Sequence, residues 1–123
     1  MGTCSFTLSG IAKRSDGRIA VNGVASFSTS YASGGDTLDL STYFGSNIAV
    51  QVFATPIYDS TYIGSYDYTV FHDGGDSDGG KLLIQYLYIN CDFVTPSFSY
   101  SYIQPVGANL STFTCNILAI GTP

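Results

Sequence analysis

Polar and apolar residues alternate with a period of two along much of this chain, the pattern of strands buried on one face. Cys4, Phe6 and Leu8 alternate with Ser5, Thr7 and Ser9. After the turn Ser15-Asp16-Gly17, a second run sets Ile19, Val21, Gly23, Ala25 and Phe27 on one face. Two such runs joined by a short Asp-Gly turn predict an antiparallel hairpin. Gly23 falls on the apolar face, where a glycine marks a bulge or a close backbone approach.

Residues 31–36 read as a loop, and residues 41–45 as one helical turn capped by Ser41 and stopped by Gly45. Residues 48–54 predict a core strand with Ile48, Val50 and Val52 inward, and Pro56 restricts its end to an edge or a bend. Residues 66–71 and 81–89 predict two strands around the tip at 73–80. The second is apolar on both sides, as a central strand is. Phe98, Tyr100 and Tyr102 alternate with serines, and a last run sets Phe113, Cys115 and Ile117 against Thr112, Thr114 and Asn116. Seven or eight strands without a helical pattern of ten residues predict one all-β domain over residues 1–123. The expected form is an antiparallel β-sandwich, jelly-roll-like, with an immunoglobulin-like sandwich as the alternative.

Composition agrees with a sheet protein. The chain has 14 Gly, 10 Tyr and 8 Phe but no Trp, and all nine acidic residues are Asp. Only 11% of residues are charged, so exposed faces must be covered by hydroxyls and phenols, as protein contact surfaces often are. The net charge of -5 divides unevenly. Lys13, Arg14 and Arg18 against Asp16 leave a basic leading segment; beyond Thr29, eight Asp face Lys81 alone. Nucleic-acid binding is not expected, because phosphate contacts need clustered Lys and Arg. No apolar run is long enough for a helical membrane span, and the N-terminus lacks a basic segment followed by an apolar one, so cytoplasmic synthesis of a chain starting at Met1 is expected.

The chemistry-bearing residues are few. His72 is the single histidine, and its neighbour Asp73 points to the opposite side of a strand, so the two do not make a dyad. No nucleophile elbow, phosphate loop or zinc motif occurs, and neither catalysis nor a cofactor is expected. Asp73, Asp76 and Asp78 form a weak candidate calcium loop without EF-hand spacing; a soluble, flexible hairpin tip is the simpler reading. Cys4, Cys91 and Cys115 lie on apolar sides of their runs and read as buried free thiols, with a Cys91–Cys115 bridge open in an oxidising setting. Tyr58, Tyr62, Tyr66, Tyr68, Tyr86, Tyr88, Tyr100 and Tyr102 recur two apart and so line single faces. They divide between core filling, a protein interface and a sugar-stacking face.

One order of segments is distinctive: the leading hairpin, Ser30-Tyr31-Ala32-Ser33-Gly34-Gly35-Asp36-Thr37-Leu38-Asp39-Leu40, Tyr66-Asp67-Tyr68 with Lys81-Leu82, Gly107-Ala108-Asn109-Leu110-Ser111, and Ala119-Ile120-Gly121. This order resembles the small virion proteins of tailed bacteriophages, of head decoration or cement type. The resemblance implies a β domain folded in the host cytoplasm and added to the capsid surface, where it binds the major capsid protein or other virion proteins. Many such proteins form trimers at local symmetry axes and others bind as monomers or dimers, so a homo-oligomer, a trimer by preference, is what the resemblance implies. It would set Lys13, Arg14 and Arg18 facing acidic capsid loops, while the aromatic rows offer Tyr86, Tyr88, Tyr100 and Tyr102 as partner contacts. Residues 1–18 are then either a partner-contacting arm or the first hairpin strand, and the arm version expects shell binding to be lost when residues 2–12 are deleted. The competing functions are a receptor- or glycan-binding module of a tail fibre and a tail or neck subunit.

Overall fold

The computed structural model describes residues 2–57, 68–92, 94 and 97–123, with backbone alone at 68, 87–92 and 97–100. Two antiparallel sheets stack as a β-sandwich. The first joins β1 (Ser5–Lys13), β2 (Ile19–Ser26), β8 (Thr114–Gly121) and β4 (Val50–Ile57), in that spatial order. The second centres on the long β6 (Lys81–Asp92). β5 (Tyr68–His72) pairs with it, as do the short β3 (Asp36–Thr37) and β7 (Ser97–Ile103). One turn of helix, α1 (Ser41–Phe44), leads into β4.

On β2 and β8 the alternation read from the sequence is the burial pattern observed, whereas Leu8 on the edge strand β1 is 40% exposed. Val21 and Ala25 on β2 and Cys115, Ile117 and Ala119 on β8 share one core with Val70, Leu82 and Ile84 of the second sheet. Connecting segments supply the bulk that tryptophan would give elsewhere. Phe27, Tyr31, Phe44 and Phe113 are all buried, with the Phe27 ring centre 5.8 Å from Tyr31 and 5.9 Å from Phe113. The Tyr31 hydroxyl accepts the Ile84 N–H at 3.1 Å and donates to Gln104 Oε1 at 3.0 Å, so its polar end is satisfied inside the fold. Asp36 is fully buried; its carboxylate accepts the Ser28 and Ala32 N–H groups at 2.8 and 3.0 Å.

Two sequence expectations give way here. Ser41 is not the helix cap: Leu40 holds that position, and the Asp39 carboxylate accepts the Ser41 N–H at 2.9 Å. Asp39 competes successfully because its side chain reaches two residues forward, the geometry of an Asx turn. The tip at 73–80 is not a free loop either. Ser77 is fully buried, its N–H donates to the Ile48 carbonyl at 2.8 Å, and its carbonyl accepts the Leu40 N–H at 2.6 Å. Residues 5–13 form the first hairpin strand, the second of the two forms expected for this segment, paired with β2 on both sides of Ser9. Deleting residues 2–12 would therefore remove a strand of the sheet. β4 runs on through Pro56, which an edge strand permits.

Gly23 does what its place in the pattern demanded. The β1–β2 register shifts between Leu8 and Gly10, leaving Ser9 as the extra residue of a bulge opposite Gly23. A β-carbon on Gly23 would run into the Thr7 carbonyl and come within 2.6 Å of the Phe6 ring. Gly23→Ala is expected to lower unfolding stability by about 1–3 kcal/mol. A urea midpoint equal to the wild type would contradict the close approach.

Candidate interaction face

Pairing on both edges of β8 fixes which side chains share the outer face of the first sheet. Asn116 stands between Val24 and Thr55, Leu118 between Asn22 and Phe53, and Ile120 between Ala20 and Gln51. Thr114 completes the row with Ser26 and Ile57, and β1 adds Ser5, Thr7, Gly10 and Ala12. No residue of this four-strand face carries a charge. Phe53 is 52% exposed and Leu118 40%, and because the two are paired across β4 and β8 they form a contiguous apolar patch.

The face is not flat. Its β4–β8 half carries the bulky Phe53, Ile57, Leu118 and Ile120, whereas β1 and β2 present mainly Ser, Thr, Ala and Gly. A shallow groove of about 380 Å³ runs between them, lined among others by Ser9, Asn22, Phe53, Thr55, Asn116 and Leu118. Such a lining offers apolar contact and neutral hydrogen bonding; it sets no imidazole, carboxylate or amine beside the Ser9 and Thr55 hydroxyls.

No family model, curated protein or solved structure matches the chain.

The residues singled out from the sequence lie elsewhere. Tyr86 pairs with Ile103 and Tyr102 with Leu87, one step out of phase, so these two tyrosines stand on opposite faces of the second sheet. Tyr86 is half-buried on the inward side with Leu82 and Ile84, and Tyr102 is 59% exposed on the outer side. Tyr86 and Tyr102 therefore belong to different rows. The side chains of Tyr68, Tyr88, Tyr100 and Cys91, and all of Tyr58, Tyr62 and Tyr66, lie outside the described residues.

Of the basic cluster, Arg14 and Arg18 both reach Asp16, at 3.5 and 2.8 Å, across the exposed β1–β2 turn. The Arg18 hydrogen bonds hold the Asp16 carboxyl down at about 2. Lys13 is exposed beside them. In the acidic tip each carboxylate serves a different backbone group. Asp73 accepts from Gly75 and Lys81 at 2.9 and 3.0 Å, Asp76 from Gly79 at 2.8 Å, and Asp78 from Asn47 at 3.3 Å. Among the described residues no three carboxylate, thiol or imidazole groups converge as metal ligands would. A calorimetric calcium titration is expected to give no binding heat; a saturable isotherm would return the tip to candidacy.

Cys4 and Cys115 are free thiols. Burial pushes Cys115 up to about 12, and burial with the nearby Asp36 charge raises Cys4 still further from thiolate formation. Both should resist iodoacetamide at pH 8 in the native protein and react in guanidinium, read by peptide mass spectrometry; native labelling of Cys115 would refute its burial. His72 is half-buried, and its Nδ1 accepts the Gly74 N–H at 3.1 Å. Burial lowers its pKa below the ordinary 6.5, and the Asp73 charge offsets only part of that shift. The unfolded chain therefore takes up the proton first. The stability contributed by neutral His72 is complete above about 6.5 and is lost as pH falls through the depressed folded value. An NMR titration of this single imidazole should give a midpoint below 6.5; a higher midpoint would show that Asp73 prevails.

Proposed function

We propose that this chain is a non-catalytic structural protein that works by docking to other proteins. In the setting its resemblance implies, it is a decoration or cement subunit on a bacteriophage capsid surface. There it binds the major capsid protein or another virion protein as a homo-oligomer assembled in the host cytoplasm. The observation that carries the docking reading is the uncharged outer face of the first sheet with Phe53 and Leu118 exposed on it. A protein with net charge -5 has charge available for its surface, and a sheet face kept clear of it can be desolvated against a partner at little cost. The basic β1–β2 turn, with Lys13 beside the Arg14–Asp16–Arg18 group, would add steering toward acidic loops.

A second reading is favoured by the groove itself. An exposed Phe53 ring beside the Asn22 and Asn116 amides suits a neutral saccharide, as in a receptor- or glycan-binding module of a tail fibre. The two separate in one pair of assays. Purified capsid shells lacking the protein should bind it saturably in co-sedimentation, and Asn116→Asp, which adds charge at constant size, should weaken that binding roughly tenfold or more. Absence of shell binding, with glycan-array binding that Phe53→Ala abolishes, would replace the capsid role by the saccharide one.

A further inference from the structure

Resting on the docking reading, we infer that the uncharged face is occupied by a second copy of this chain. The two sheets pack face to face about a two-fold axis that runs parallel to the strands between β2 and β8. Three observations lead to this occupant.

The first is electrostatic. A two-fold contact sets a surface against its own image, so any charge near the axis meets its like. A chain of net charge -5 repels itself over most orientations. A different partner could match charges on this face with opposite ones. A second copy pairing about a central axis is best served by having none there, and the outward positions of the four strands hold none; the nearest, Arg18 at the end of β2 beside Gln51 and Ile120, is paired with Asp16 at 2.8 Å.

The second is shape. In the order β1-β2-β8-β4, the proposed axis lays β4 of each copy over β1 of the other. The bulky half then meets the small half twice. Phe53 descends over Ser9 and Gly10, at the β1 end of the groove, and Leu118 meets Asn22 across the axis, because all share one row of the sheet.

The third is area. Four strands about 4.8 Å apart and eight residues long at about 3.3 Å each give a face of roughly 500 Å². Two such faces bury roughly 1,000 Å² in total before side chains interdigitate, the lower bound for a biological interface of good complementarity.

Sedimentation equilibrium of the free full-length chain tests the inference. The wild type should sediment at twice the chain mass at submillimolar concentration. Asn116→Asp should reduce it to the single mass. So should Ala12→Trp, which adds no charge but fills the low half of the face, whereas Val106→Asp on an exposed loop should leave the double mass unchanged. Far-ultraviolet circular dichroism equal to the wild type shows that each variant is folded. A single mass for the wild type, a three-chain mass, or a double mass that survives both face variants would overturn the two-fold pairing. The shell assay fails independently. A monomeric wild type whose shell binding still depends on Asn116 assigns the face to the capsid partner and overturns only the pairing. A two-fold pair that does not bind shells overturns only the capsid role.

Discussion

The ladder that seats β8 between β2 and β4 is the constraint on which the rest of the molecule depends. Each residue from Thr114 to Gly121 has a partner on both sides, and the three strands come from the start, middle and end of the chain. Side chains alternate along a strand, so a slip of one residue would carry Cys115, Ile117 and Ala119 to the outside and Asn116 and Leu118 into the core. The small inner row leaves room for the aromatic rings brought in by the connecting segments. The same pairing, without further instruction, assembles the uncharged outer rows from four separate stretches of sequence.

Much of this was legible before any coordinates. The hairpin, the close approach at Gly23, the central position of residues 81–89 and the inward row of β8 follow from period-two alternation and from apolar residues on both sides of one run. The edges of elements were less legible. Ser41 has the chemistry of a helix cap, yet Asp39 two residues earlier captures its N–H. The glycine- and aspartate-rich tip has the composition of a free loop, yet Ser77 is buried beneath it. In both cases a polar side chain or backbone group found a partner that local composition does not reveal.

The proposed contact surface was the least legible part. Tyrosines attract notice because they are large and recur two apart, but recurrence within a strand does not say which face of the sheet a neighbouring strand's row will join. Tyr86 and Tyr102 stand on opposite faces because β6 and β7 pair one step out of phase. The signal was an absence: outward-facing positions of four strands that never hold Asp, Lys or Arg. That absence is unremarkable within any one strand of a chain with few charges, and it becomes a face only when strand order is known. Charges are placed at the β1–β2 turn and at the tip beside β5, where Asp side chains serve as turn-building acceptors.

The central claim is that this outer face is a contact surface and not merely a neutral wall left open to water. Hydroxyl-radical footprinting, read by mass spectrometry with the protein dilute and alone and again in its assembled form, tests it most directly. Phe53 and Leu118 should be strongly protected on assembly while the exposed loop residue Val106 oxidises at an unchanged rate. Equal oxidation of Phe53 and Leu118 in the two states would contradict the account.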